Sequence, residues 1–268
     1  MHRLTLLLAL ALFSATAWAL PKNLPAPGGV AVVPLPGSSD HPQVFFEARE
    51  QAIVSEKGRR YALIGIPLET APGRHEASLS EDGRMRPLPF EIRPRHYPTQ
   101  KLRIPDQRMV TPPPEVEARI AAEQAQITAI KRHFSPTPQP ETGFALPASG
   151  RLSSRFGLRR VLNGAPRSPH AGLDLAVGTG TPVHAPAAGT VLAVEDFYFT
   201  GNTVVIDHGQ GLLTLYAHLS RVDVKPGDRL HRGDAVGASG MSGRATGPHL
   251  HWVVILGGTA VDPVLFLD

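Results

Sequence analysis

Apolar residues in this chain come in short bursts broken by turn-forming residues, and rarely in the 3.6-residue rhythm of a helix. In the first hundred residues, β-branched and aromatic clusters at 30–35, 43–48 and 60–66 predict strands, with weaker ones at 76–79 and 88–92. Pro36-Gly37-Ser38-Ser39, Glu56-Lys57-Gly58, Ala71-Pro72-Gly73 and Glu81-Asp82-Gly83 separate them as turns. Short strands at this spacing predict a β-sandwich-like domain over 20–112, irregular from 97 to 112 and without evident chemistry. His41, His75 and His96 fall at loop-like positions and read as surface residues.

The rhythm changes at Pro114. Val116, Ile120, Ala121, Ile127 and Ile130 recur at near-helical spacing, and Pro114 suits a first helical turn. A connecting helix is expected over 114–134, with His133 at its end as a partner of the helix dipole. Residues 135–143, Ser-Pro-Thr-Pro-Gln-Pro-Glu-Thr-Gly, read as a stiff linker between separable domains, so 113–143 divides the front domain from a second at 144–268. There, strands are expected at 189–194, 203–207, 212–218, 235–238 and from 249 onward, with no convincing helix. The fold class is mainly β, and the second domain is antiparallel.

Composition narrows the setting. Of 268 residues, 42% are hydrophobic and 19% charged, enough for a packed core and against global disorder. The 27 prolines and 26 glycines favour short strands and turns. The chain has no cysteine, which excludes disulfides, thiol catalysis and thiolate metal sites. Residues 1–19 combine Arg3, an apolar run at 4–13 and the A-x-A site Ala17-Trp18-Ala19. That pattern predicts a secretory signal peptide, hence an exported protein, periplasmic or secreted, with no stable membrane anchor after its removal. The formal charge is only +4 and no basic run occurs, so nucleic acid is not an expected partner.

Candidate chemistry concentrates in the second domain. In Gly247-Pro248-His249-Leu250-His251-Trp252, two histidines lie two apart at the head of an apolar strand. Residues i and i+2 share a strand face, so both imidazoles project together. Upstream, His170 and Asp174 are four apart and share a face in extended backbone, with Gly172 between them to let the chain bend. His170, Asp174 and His251 together offer two nitrogens and one oxygen, a set that suits one zinc ion with a fourth position open for water. A structural zinc would need a fourth protein ligand, often the cysteine this chain lacks. His208, in Asp207-His208-Gly209-Gln210-Gly211, is expected in a turn, and His184 and His231 at the surface or in packing roles.

Ser154-Arg155-Phe156-Gly157, His170-Ala-Gly-Leu-Asp174, Tyr216-Ala217-His218-Leu219 and Thr246-Gly247-Pro248-His249-Leu250-His251 resemble the lysostaphin-like (LytM-type) zinc metallopeptidases over about residues 145–266. The front part, with Gly65-Ile66-Pro67-Leu68 and Tyr97-Pro98-Thr99-Gln100-Lys101-Leu102, resembles the N-terminal β domain preceding this peptidase in some Gram-negative proteins. The resemblance implies a β fold of the duplicated hybrid motif type and an endopeptidase acting on the peptide stems of peptidoglycan. It implies His170, Asp174 and His251 as zinc ligands, and His218 and His249 as cleft histidines that handle protons. Which of the two is the base stays open. Many members carry Phe-Glu after the H-x-H pair where this chain has Trp252-Val253. A crosslink between D-alanine and diaminopimelate is the first expectation for the bond, a glycine bridge the second. Rival readings are a non-catalytic peptidoglycan-binding module or amidase activator, whose relatives usually lose zinc ligands, and a metal-free phosphotransfer protein of the same general fold.

Overall fold

The computed structural model describes residues 20–37, 39–136 and 139–268; the expected leader at 1–19 lies outside them. The front part contains β1 (Val30–Pro34), β2 (Gln43–Phe46), β3 (Arg49–Glu56), β4 (Arg59–Gly65), β5 (Gly73–Glu81) and β6 (Arg84–Ile92). They form one six-stranded sheet in the order β1-β4-β3-β2-β5-β6. Val44, Phe46, Leu79 and Leu88 from its second half share a core with Ala31, Val33, Ala62 and Ile64 from its first. The sheet therefore curls over itself, which meets the sandwich-like expectation.

Strand β3 has no counterpart in the sequence pattern. Its hairpin with β2 turns on Glu47 and Ala48 at φ 49° and 59°, a conformation usually left to glycine or asparagine. With no turn residue to mark the reversal, the strand expected at 43–48 has no predicted partner over 49–56. His41 and His96 are exposed, and His75 is half-buried beside Phe46 and Phe90.

The segment expected to be irregular holds β7 (Thr99–Leu102). A short 3-10 turn at Pro114–Val116 leads into α1 (Glu117–Lys131). This helix lies along the rear sheet. Arg119 donates to the Asp196 carbonyl at 2.9 Å, and Glu123 accepts from the Tyr198 amide at 2.8 Å.

The rear part contains β8 (Arg151–Ser154), β9 (Arg159–Leu162), β10 (Ala165–Arg167), β11 (Leu173–Ala176), β12 (Pro182–His184), β13 (Gly189–Phe197) and β14 (Gly201–Gly209). It continues with β15 (Leu212–Val222), β16 (Arg229–Leu230), β17 (Ala235–Ser239), β18 (Leu250–Leu256) and β19 (Thr259–Val261). An antiparallel sheet runs β16-β13-β14-β15-β18-β11-β8, with β12, β17 and β19 attached off this path. Its central strands are buried on both faces, which is why 212–217 is apolar but for Thr214 and 252–256 is apolar throughout. On one face Leu213, Leu215, Ala217, Val253 and Ile255 pack together, with Ile130 of α1 against them. On the other, Leu212, Tyr216, Leu250, Trp252, Val254 and Leu256 form the main core.

That main core also takes in Val30, Ala52, Val54 and Leu63 of the front sheet. A Cβ on Gly65 would sit 2.4 Å from the Leu256 carbonyl oxygen, so only glycine allows β4 to approach β18 this closely. Strand β7 pairs in parallel with β9, adding front-part residues to a rear hairpin. The linker is itself docked: the Gln210 amide donates to the Ser135 carbonyl at 2.8 Å, and Gln139 brackets the Ser55 amide and carbonyl. Packing thus ties front and rear together, against the separability that a proline-rich linker predicts.

His208 is not a turn residue. The turn follows at Gln210 and Gly211, both at positive φ. His208 lies within β14, one residue before its end, at 5% exposure, 2.7 Å from the Ala188 carbonyl and 2.8 Å from Thr214 Oγ1. Burial pushes its pKa down from 6.5 to about 4. The fold thus holds it neutral, while the unfolded chain binds a proton below 6.5. Stability is full above that pH and falls as pH drops through about 4, by roughly 3 kcal/mol from this residue. Against a total of ~5–15 kcal/mol that is large. Thermal unfolding followed from pH 7 to pH 4 should show a falling midpoint, with a shallower slope in His208→Gln.

Candidate metal centre

The site grows from the register of three strands. Strand β18 lies between β11 and β15, and His251 faces Asp174 on one side and Ala217 on the other. His251 continues the face of Val253 and Ile255, so it emerges where that apolar layer ends. His170 comes from the loop before β11, anchored by backbone hydrogen bonds between its amide and the Leu158 carbonyl and between the Gly157 amide and its own carbonyl. A Cβ on Gly172 would lie 2.5 Å from the Trp252 carbonyl oxygen and 2.8 Å from His251 Cε1. The glycine between His170 and Asp174 supplies room for β18 rather than a bend.

His170 Nε2 lies 2.9 Å from Asp174 Oδ1 and 3.0 Å from His251 Nδ1, and His251 Nδ1 lies 2.7 Å from Asp174 Oδ1. His170 Nδ1 donates to the Arg155 carbonyl at 2.8 Å, which commits its proton there and leaves a lone pair on Nε2. If His251 Nδ1 donates to Asp174, the lone pair of His170 Nε2 still faces the same carboxylate oxygen. A cation among the three atoms makes every contact attractive, and two imidazole nitrogens with one carboxylate oxygen suit zinc.

Electrostatics keep these groups in ligand-competent forms. Burial alone would raise the pKa of Asp174. The imidazoles of His170 and His251, both within hydrogen-bond distance of Oδ1, outweigh it and hold the carboxyl well below the usual carboxylate range. Burial lowers the pKa of His251, against the pull of Asp174, which favours the neutral imidazole. Arg160, on β9, donates to Asp174 Oδ2 at 3.0 Å and so fixes the second carboxylate oxygen.

His218 and His249 stand beside this triangle, not in it. Between Val204↔Tyr216 and Asn202↔Leu219, β15 carries one residue more than β14, a bulge that holds His218 at φ 63°. This is strained backbone for a non-glycine residue, and it re-aims the side chain within β15. His218 Nδ1 donates to the Ser242 carbonyl at 2.7 Å, and His249 Nδ1 to the Gly247 carbonyl at 2.8 Å. Their ring centroids are 4.7 Å apart, and both line one cleft of about 400 Å³ with His170, Asp174 and His251. Burial, and then the neighbouring His251 and His249, push the pKa of His218 down to about 3.

The cleft thus joins all five histidine and aspartate positions singled out in the sequence. Elsewhere, His133 pairs with Asp207 at 3.1 Å rather than serving only the helix end, and His184 and His231 are exposed. Sequence reasoning missed Arg160, Arg244, Phe199 and the Ser242 carbonyl, all brought in by strand pairing and turns. It also missed Leu102 and Ile104, front-part residues that form part of the cleft wall.

Residues 168–263 match Peptidase family M23, and residues 23–95 match the Peptidase family M23 N-terminal domain. Over 113 residues, 42% of this chain, it is 43% identical to the peptidoglycan DD-endopeptidase ShyA of Vibrio cholerae. Over 114 residues, also 42% of the chain, it is 40% identical to the DD-carboxypeptidase/endopeptidase Mpg of Neisseria meningitidis. Each match spans 26% of the relative, so about a quarter of these longer proteins is represented here. A Pseudomonas aeruginosa crystal structure assigned to peptidase M23 aligns with 91% of this chain and 95% of its own, with a TM-score of 0.78 at 40% identity. With that likeness running through the front sheet, the helix and the cleft alike, the chain belongs to peptidase family M23.

Proposed function

We propose that this peptidase hydrolyses peptide crosslinks of peptidoglycan, with zinc held by His170, Asp174 and His251 and with proton transfer by His218 and His249. The observation that carries the reading is one cleft holding a complete His-Asp-His donor set and two further histidines whose Nδ1 atoms are committed to backbone carbonyls, with His249 Nε2 4.0 Å from Asp174 Oδ1. The D-alanine–diaminopimelate bond is the favoured target, in line with the activity named for ShyA. Work on peptidoglycan implies export, and the leader pattern at 1–19 points to the periplasm. Among the described residues no helix is long and apolar enough to cross a membrane.

When bound, zinc would supply a Lewis acid for the scissile carbonyl and lower the pKa of the attacking water towards ~7. The chain's own groups move the proton. The Ser242 carbonyl holds the His218 proton on Nδ1, so Nε2 carries the lone pair that accepts from water. His249, whose ring lies 4.7 Å from that of His218, shares the charge that develops on the carbonyl oxygen when it is protonated, since its Nδ1–H is given to the Gly247 carbonyl and only the imidazolium has an Nε2–H to donate. Protonated His218 then returns its proton to the leaving amine.

Incubating the purified protein with crosslinked peptidoglycan tests this directly. Mass spectrometry should show dimers converted to monomers, no conversion with a chelator, and recovery on adding zinc. Release of no stem peptides, or release indifferent to the chelator, would remove the reading.

A further inference from the structure

The cleft carries more positive charge than its metal ligands require. Arg160 and Arg244 both line it. Arg160 spends one N–H on Asp174 Oδ2, and its Nε is buried with no hydrogen-bond partner. Arg244 lays its guanidinium 4.2 Å over the Phe199 ring and donates from one nitrogen to the Met109 carbonyl at 3.2 Å. Arg167 lies near enough to repel Arg244 and donates only to the Pro166 and Val110 carbonyls. Among the described residues, these three guanidiniums share one carboxylate, Asp174, and the metal site already uses its charge.

Such an arrangement needs an anion. Burial, and then the charges of Arg160 and Arg167, pull the pKa of Arg244 below its ordinary value, yet a guanidinium stays protonated in proteins. A partly buried cation without a counter-ion is costly unless a ligand supplies one. The Phe199 ring and the Met109 carbonyl fix the plane of Arg244 in advance, leaving its remaining N–H groups for a bidentate acceptor. A flat, pre-oriented guanidinium beside a hydrolytic centre matches a carboxylate on the substrate.

We propose that Arg244, backed by Arg160, binds a free carboxylate of the substrate close to the scissile bond, and that the enzyme selects substrates carrying it. The inference rests on the peptidoglycan reading above. A crosslinked stem offers two such groups. One is the diaminopimelate carboxylate next to the scissile amide nitrogen; the other is the carboxylate that ends the peptide.

The test uses the full-length, zinc-loaded protein and three crosslinked dimers: native, amidated at diaminopimelate, and amidated at the peptide end. Removing the carboxylate that Arg244 reads should lower kcat/KM by about 10- to 100-fold, and the other amidation should have little effect. Arg244→Gln should bring the native dimer down to the level of the amidated one, so that the ratio between them approaches one. Arg244→Lys should restore part of the discrimination. Equal kcat/KM for wild-type protein on all three dimers would overturn the proposal without any variant. An equal loss on all three in Arg244→Gln, with the wild-type ratios near one, would assign Arg244 to support of the fold. Failure to cut even the native dimer is a different result, which removes the peptidoglycan reading and this inference together.

Discussion

Asp174→Ala is expected to lose both the metal and all measurable hydrolysis. Asp174 is the hub of the site: Oδ1 meets His170 and His251, and Oδ2 meets Arg160. The substitution removes one of three protein ligands from a catalytic type of site. It also leaves Arg160 without its carboxylate and two imidazoles facing each other at 3.0 Å. Breaking a buried pair costs ~3–5 kcal/mol; with the Arg160 side chain 24% exposed, about 1–3 kcal/mol is expected here. Asp174→Asn keeps the shape and removes the charge, so it separates ligand loss from cavity formation. Metal content, turnover and thermal midpoint measured on one preparation decide it. An Asp174→Ala protein that still holds a full equivalent of zinc would show that Asp174 is no ligand.

His218→Ala is expected to keep its metal and lose rate. The side chain lies outside the triangle of close contacts, and its Nδ1 is committed to the Ser242 carbonyl. A general acid–base group contributes ~10²- to 10⁴-fold, so kcat should fall in that range with metal content unchanged. Position 218 has φ 63°, where asparagine is better tolerated than most residues. His218→Asn therefore checks that a loss in the alanine variant is chemical and not conformational. A metal-free His218→Ala would make His218 a ligand, and a zinc-loaded, fully active one would take it out of the chemistry.

Much of the candidate site was legible in the chain because it depends on local periods. His249 and His251 share a side because strand side chains alternate, and the apolar run behind them marked the strand that became β18. His170 and Asp174 sit close enough in sequence for one loop and one short strand to bring them together. Most strands of the front part were visible for the same reason, since β-branched clusters between glycine and proline turns are a local signal.

What stayed hidden depends on partners far apart in the chain. Arg160 reaches Asp174 only because β9 and β11 fold against one region, and no spacing marks an arginine 14 residues upstream. The parallel pairing of β7 with β9 joins residues about 60 apart in sequence, so residues 99–102 looked irregular alone. Hairpin β2–β3 escaped because Glu47 and Ala48 take a glycine-like conformation that neighbouring contacts impose. His208 looked like a turn residue until Thr214 and the Ala188 carbonyl enclosed it. Alternation and turn chemistry are properties of a few consecutive residues, and the sequence by itself determined the strands and the paired histidines through them. Burial of one core shared by front and rear sheets is a property of the whole chain. That burial decided the strand order, the bulge at His218 and the arginines around the cleft.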